Sequence, residues 1–299
     1  MAFKDALLAV DPKLIDYAYA PESYDAVVLT ALAAAAAKSD AGVDMAKQMV
    51  KITNGTEVCN DYAGCLELLG QGKDIDYNGR SGAVNFWDAG DPTSASIGVY
   101  QFGPDNTLLP EVAYQQGEIV PDGEANPIDG KPQDGANDGV FKIGTFLPVT
   151  GNLAFLGPPE IAGVKLAIKD IEAAGGIPGF KKIVLEEGDS GDTSTNTGQQ
   201  TVKRLLPLGI DVLVGAASSG VLNTALASAL TAKLHTGAAN NGTVDWTFTS
   251  GIVAETATGT YTLNWDGTAG TMHLEMTGHF EWKAPGSTKP TGPVSGQAD

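Results

Sequence analysis

From Phe141 to Leu234 short apolar runs alternate with longer helix-patterned runs, three times over, and this alternation leaves few folds open. "FKIGTFLPV", "KKIVLEEGD" and "IDVLVGAASSG" read as strands; "EIAGVKLAIKDIEAAGG", "NTGQQTVKRLLPLG" and "VLNTALASALTAKL" read as the helices that follow them. In the first helix Ile161, Val164, Ile168 and Ile171 recur at helical spacing, and Gly175 with Gly176 stops it. A β-α-β-α-β-α order calls for a parallel sheet with right-handed crossovers, so the predicted class is α/β.

The remaining sequence follows other patterns. Residues 1–116 read as mixed α and β. "SYDAVVLTALAAAAAKS" is a strong helix former with Ser23 as a cap, and two shorter helices cover "GVDMAKQMVKIT" and "YAGCLELLGQG". Two strand-like runs, "GAVNFW" and "ASIGVYQF", flank "DAGDPTS", which predicts a hairpin between them. Residues 117–139 are dominated by Pro, Gly, Asp and Asn with little to bury, the composition of a linker. The α/β segment spans 140–235. Over 236–283 the period becomes two, with Met272, Leu274, Met276, Phe280 and Trp282 on one face and turn chemistry at "DGTAG", which predicts an antiparallel β meander. A Pro-, Gly-, Ser- and Thr-rich tail, 284–299, is expected to be disordered.

Charge narrows the function classes. With 36 acidic and 18 basic residues the chain carries −18 at neutral pH, which repels phosphate backbones and anionic membranes and argues against nucleic-acid binding. "AVVLTALAAAAA" is too short and Ala-rich to span a bilayer, and no export-signal pattern follows Met1. Cys59 and Cys65 match neither a zinc nor a thioredoxin spacing; they read as a local disulfide or as two free thiols. A bridge there closes a short loop, worth about 2 kcal/mol, and points to an oxidising compartment.

The sharpest chemical feature is "VLVGAASSGVLNTAL". A buried strand ends in small residues and feeds directly into a helix, which puts Ser218 and Ser219 at a helix N-terminus. Free amides, the helix dipole and a hydroxyl there favour an anion such as a carboxylate. The place is the carboxyl edge of the sheet, where α/β proteins hold ligands. Plain N-capping by serine accounts for the same pattern. The turn "PVTGNLAFLGPPE" lies at the same edge, with Thr150 and Gly151 opening the loop and Leu156 as an apolar wall. Two patterns fall short of metal sites. "DIDYNGRSGAVN" begins like a calcium loop but has Asn85 where a bidentate Glu is needed. His273 and His279 share a strand face with Glu275 and Glu281, but it is the solvated face. "GAASSG" does not fit a nucleophile elbow, and no cofactor motif is present.

"FKIGTFLPVTGNLAFLGPPEIAGVKLAIKDIEAAGGIPG" together with "GDSGDTSTNTGQQTVKRLLPLGIDVLVGAASSG" resembles the branched-chain amino-acid-binding proteins of ABC importers, at the start of their first lobe. "DPKLIDYAYAPESYDAVVLTALAAA", the cysteine segment and "DIDYNGRSGAVNFWDAGDPTSASIGVYQFGPDN" are similar to the end of the same family. The resemblance covers roughly 3–118 and 138–230, in permuted order and with the middle of the family chain missing. It implies a Rossmann-like parallel-sheet lobe of the type I periplasmic-binding fold, no catalysis, a small amino acid as ligand, an importer permease as partner and an extracytoplasmic location. It further implies that Ser219, with Ser218, binds the ligand α-carboxylate, that Leu156 contacts its side chain, and that Tyr19 packs on it from the hinge side. Since both segments belong largely to one lobe, they are expected to fold against each other. The alternative is a scaffold that binds no ligand and associates through the meander edge.

Overall fold

The computed structural model describes residues 2–88, 90, 92–105, 107, 109, 113–118, 128, 132, 136–225, 241–250, 253–264, 273–277 and 297–298. They belong to two compact units, Met1–Pro121 with Ile128–Ala229, and Asp122–Pro127 with Leu230–Asp299.

The first unit is built on a three-stranded parallel sheet in the order β6-β5-β7, where β5 is Val140–Phe146, β6 Lys182–Glu186 and β7 Val212–Gly215. Phe141 pairs with Ile183 on one side, and Gly144 with Leu213 on the other. The crossover after β5 is helix α5, Gly157–Ala173; the one after β6 is α6, Thr197–Leu205, finished by a 3-10 turn at Leu206–Leu208. Successive residues of β5 serve opposite faces. Phe141 and Ile143 join the apolar cluster that contains α5, whereas Phe146 joins Val202 of α6 with Val221 and Ala225. A sheet covered on both faces explains why its strands read as near-continuous apolar runs.

The α5 face is completed by a helix from far ahead in the chain. Helix α2, Ala20–Ala37, packs along α5 and over β7. Val27, Val28, Ala31, Leu32, Ala33 and Ala34 are fully or almost fully buried, so α2 is apolar nearly all round. Its small side chains allow a close approach. At Gly163 of α5, an added Cβ would lie 2.3 Å from the Ala20 carbonyl oxygen. The same apolar cluster draws in Leu7 of α1 (Phe3–Val10), Met45 of α3 (Gly42–Met49), Cys65 of α4 (Tyr62–Gly70) and Tyr77. Two hydroxyls add polar ties between the front and rear segments: Tyr24 donates to Asp170 at 2.8 Å, and Tyr62 to the Gly176 carbonyl at 3.0 Å. Among the described residues the two segments do not share a sheet. They share a core.

The front segment has its own short strands. β1, Glu57–Cys59, and β2, Ile75–Tyr77, pair in parallel, and a disulfide joins Cys59 to Cys65 where α4 begins. Asp25 of α2, almost fully buried, anchors the turn after β2. It accepts from the Tyr77 hydroxyl (2.6 Å), the Arg80 and Ser81 amides (2.9 and 2.7 Å) and the Ser81 hydroxyl (2.5 Å).

The predicted hairpin forms with a different partner. β3, Ser94–Val99, pairs antiparallel with β4, Ala113–Glu118, and not with "GAVNFW". The latter meets only the residues just ahead of β3: Phe86 bridges antiparallel to Pro92 and the Thr93 amide donates to the Asn85 carbonyl at 2.7 Å, while Asn85 donates to the Thr53 carbonyl, the Phe86 amide to the Thr53 hydroxyl, and Asn54 to the Phe86 carbonyl. β4 also reaches Glu118, two residues into the stretch read as linker. Asp76 of the calcium-like sequence lies on β2 rather than in a loop.

In the second unit, β8 (Asn241–Ser250) pairs antiparallel with β9 (Val253–Asn264), and β9 with β10 (His273–Thr277). Gln297–Ala298, in the stretch expected to be disordered, forms β11 and pairs with β10. Met272, His279, Phe280, Glu281 and Trp282 lie outside the described residues. Among the described residues no single helix is long and apolar enough to cross a membrane. α2 and α3 together have the length and composition but meet at 104°.

Gly163→Val tests the α2–α5 contact. The gain in helix propensity over glycine is well under 1 kcal/mol, whereas overpacking costs about 1–3 kcal/mol. The first unit is therefore expected to lose stability, read as an earlier midpoint in urea unfolding.

Candidate ligand edge

Three loops leave the carboxyl ends of the sheet together: 147–156 after β5, 187–196 after β6 and 216–218 after β7. β5 lies between the other two strands, so the crossover from β5 to β6 and the one from β6 to β7 run in opposite directions. Such a switch point is where open α/β sheets form a crevice.

Two aspartates stitch the first loop to the second. Asp189 accepts from the amides of Val149 (2.9 Å), Thr150 (3.1 Å) and Gly191 (2.8 Å) on one oxygen and from the Thr150 hydroxyl (2.5 Å) on the other. Burial pushes its carboxyl up, but the bonds from Thr150, Gly191 and Val149 outweigh this and hold it below the usual range. Asp192 accepts from the Asn152 amide at 3.1 Å and from the Ser194 amide and hydroxyl at 2.9 and 2.5 Å. Gly151 lies against it with φ of 88°, and an added Cβ would approach the Asp192 carboxylate to 2.6 Å. Only glycine suits that turn.

The third loop joins through Thr193, whose methyl would be 3.0 Å from a Cβ on Gly220. Ser218 precedes the helical run 219–225 and caps it: its carbonyl accepts from the Leu222 amide at 3.0 Å, and its hydroxyl from the Val221 amide at 3.5 Å. Its hydroxyl is therefore engaged by its own helix. Ser219 is exposed on the first turn, with the unpaired amides of a helix start beside it.

Leu156 does not present a wall to solvent. It is the N-cap residue of α5, its carbonyl accepts from the Glu160 amide, and only 7% of it is exposed. The apolar side chains offered at this edge are Phe155, 61% exposed, and Val149, 52% exposed. The sequence reading missed Phe155, although "LAFLG" carries an aromatic one position ahead of Leu156. Tyr19 stands apart from the serines, at the start of α2. It is 55% exposed and in the left-handed region at φ of 58°. The adjoining Ala20 carbonyl touches α5 at Gly163, seven residues past Leu156 and so about 10 Å along the helix axis.

Between Leu156 and Gly163 lies a group the sequence reading also missed. Glu160 is only 4% exposed, and its Oε2 has no hydrogen-bond partner among the described residues. Burial, and then the nearby Glu22 carboxylate, push its carboxyl up to about 7.

A small cavity of about 40 Å³ opens between the second and third loops, lined by Asp192, Thr193, Thr195, Gly198, Gln199, Val221 and Thr224. It has room for a few waters and not for an amino acid, and neither Ser218 nor Ser219 lines it. A larger space of about 400 Å³ lies at the opposite edge, among Ala35, Lys38, Gly139, Pro178 and Phe180. The carboxyl edge is thus an open rim of hydroxyls, amides and exposed apolar side chains. Its two aspartates serve loop amides.

Residues 140–289 match the family described as periplasmic binding protein. The chain belongs to that family. The match starts at β5, runs past residue 230, where the resemblance read from sequence ends, and does not include the front segment. Among curated relatives, the Leu/Ile/Val-binding protein homolog 8 of Brucella abortus (strain 2308) is 42% identical over 79 residues, 26% of this chain and 19% of that protein. Homolog 7 from the same strain is 36% identical over 81 residues, 27% and 20% of the two chains. The aligned stretch therefore spans about a fifth of the length of these relatives. No solved structure matches. Family members are in general non-catalytic binding proteins of the extracytoplasmic space.

Asp189→Ala removes the acceptor of four loop bonds. Amide exchange at Val149, Thr150 and Gly191 is expected to accelerate about tenfold or more at neutral pH. The wild-type tie should persist above the ordinary carboxylate range and fail only as acid protonates Asp189 below its usual pKa, which exchange measured from pH 3 to 7 would follow.

Proposed function

We propose that this chain is a solute-binding protein of an ABC importer, or a remnant of one, that holds a small amino acid, of the branched-chain class, without catalysis. In this reading the exposed Ser219 hydroxyl and the first amides of its helix receive the ligand α-carboxylate. Gly151 and Phe155 line the neighbouring loop, and Tyr19 approaches from the α2 side. The observation that carries the reading is the placement of an exposed hydroxyl-bearing helix start at the switch point of a parallel sheet. The names of the curated relatives support the ligand class.

Residues 1–116 act as the family's C-terminal segment carried ahead of its N-terminal segment, 140–235, with 117–139 as the bridge. The single core through α2, α5 and β7 supports this order, because a surface connection tolerates such a rearrangement. The antiparallel strands β8, β9 and β10 lie within the stretch that the family match covers. The proposed location is outside the cytoplasm, in keeping with the disulfide at Cys59–Cys65.

One lobe alone holds a zwitterion from one side, so affinity falls well below that of a two-lobed binder and closure around the ligand is lost. The buried Leu156 and the 40 Å³ cavity favour a second reading, a scaffold without ligand that associates through its C-terminal strands.

Thermal shift against the twenty amino acids separates the two. A rise with leucine, isoleucine or valine that Ser219→Ala reduces supports binding. Loss of one hydrogen bond to a charged ligand corresponds to about 1.5–3 kcal/mol, or roughly ten- to hundredfold in Kd by calorimetry. A flat panel together with concentration-dependent mass supports the scaffold.

A further inference from the structure

Glu160 lies where the first turns of α2 and α5 approach each other. Its Oε2 is buried without a partner one turn ahead of Gly163, where the Ala20 carbonyl sets the helix separation. Glu22, exposed in the first turn of α2, is the charged group that acts on it. The other ionisable groups of the packed elements are engaged or distant. Asp25 of α2 is bonded to the 77–81 turn. On α1, Lys4 sits 4.9 Å over the Tyr17 ring and Asp5 has no action on Glu160. The 147–156 loop has no ionisable side chain. On α5, Lys165 pairs with Glu187 at 2.7 Å, and Asp170 accepts from Tyr24. Among the described residues no cation acts on Glu160. Burial raises the Glu22 carboxyl too, a bond to its own backbone amide opposes this, and the Asp25 carboxylate adds to the rise.

We propose that Glu160 is a protonation-dependent positioning residue for the Tyr19 side of the ligand edge: neutral, it lets the first turns of α2 and α5 close on each other; charged, it faces Glu22 across the contact and drives them apart. Tyr19 is the residue directly before α2, so this separation moves its ring relative to Phe155. The device needs no ligand to operate. Its bearing on ligand affinity rests on the binding function proposed above.

A carboxyl whose pKa is higher in the folded chain than in the unfolded one disfavours folding as it ionises. The contact is therefore tight below about pH 4.5 and weakens as pH rises to about 7, with little further change above.

Amide exchange of peptides from residues 20–37 and 157–173 tests this on the full chain, after correction for the intrinsic pH dependence of exchange. Between pH 5.5 and 8 the wild-type opening constant should rise roughly 25-fold, while Glu160→Gln stays flat. Glu22→Gln, a surface change that leaves packing intact, should move the wild-type transition to lower pH. It keeps the test decisive if the Glu160 variant fails to fold. Equal protection at both pH values in the wild type, or an unchanged transition in Glu22→Gln, overturns the proposal. Calorimetry with leucine at the same two pH values tests the coupling: affinity should drop several-fold at pH 8 in the wild type and not in Glu160→Gln. Equal leucine affinity at both pH values overturns the coupling. No leucine binding at either pH overturns the binding function, and the exchange data still decide the role of Glu160.

Discussion

The contact between α2 and α5 supports most of the first unit. The two helices are separated by more than a hundred residues, yet they form one layer over the sheet, and the spacing between them is set by the absence of a side chain at Gly163. An alanine-rich helix gains little per residue from burial, so α2 compensates with closeness and with burial on nearly every side. Two phenolic hydroxyls, from Tyr24 and Tyr62, then fix position along the layer. Burial raises both phenols well above their ordinary pKa, so they remain neutral donors across the physiological range. Without this layer, Val164, Ile171 and Val214 would face water.

The ligand edge is stiffened differently, by polar groups at the surface. Asp189 and Asp192 gather seven donors between them from the loops after β5 and β6. Carboxylates that accept several amides behave as fixed points, and loops pinned in this way hold a rim without a hydrophobic core beneath it.

Much of this was legible in the sequence because it is local. The three strands, α5 and α6 follow from apolar periodicity and from stops such as Gly175–Gly176, and the helix start at Ser218–Ser219 follows from a small-residue strand end. Features set by distant segments were not legible. β1 and β2 are three residues each, too short to leave a pattern, and they are joined by amides of Gly55, Thr56 and Glu57 donating to the Ile75 and Asp74 carbonyls, far along the chain. "GAVNFW" has the composition of a strand but is held by side chains of Thr53 and Asn54. Leu156 and Phe155 differ by one position, and only the capping geometry of α5 decides which is turned inward. In "PPEIAG" Glu160 reads as an ordinary acid in a first helical turn, stabilised by the dipole. It is buried because α2 covers it, and α2 lies far away in sequence.

A rim open to solvent limits what the serine at its centre achieves. Hydrogen bonds and dipoles aimed at an anion strengthen when water is excluded, and a two-lobed binder excludes it by closing. Ser219 is exposed, so under the proposed function a ligand carboxylate would exchange water hydrogen bonds for protein ones of similar strength, with a small net gain per bond. The apolar groups of the loop after β5, Phe155 and Val149, each remain more than half exposed, so they have most of their contact area still to offer. In the proposed site, a large increase in affinity would therefore have to come from covering those side chains.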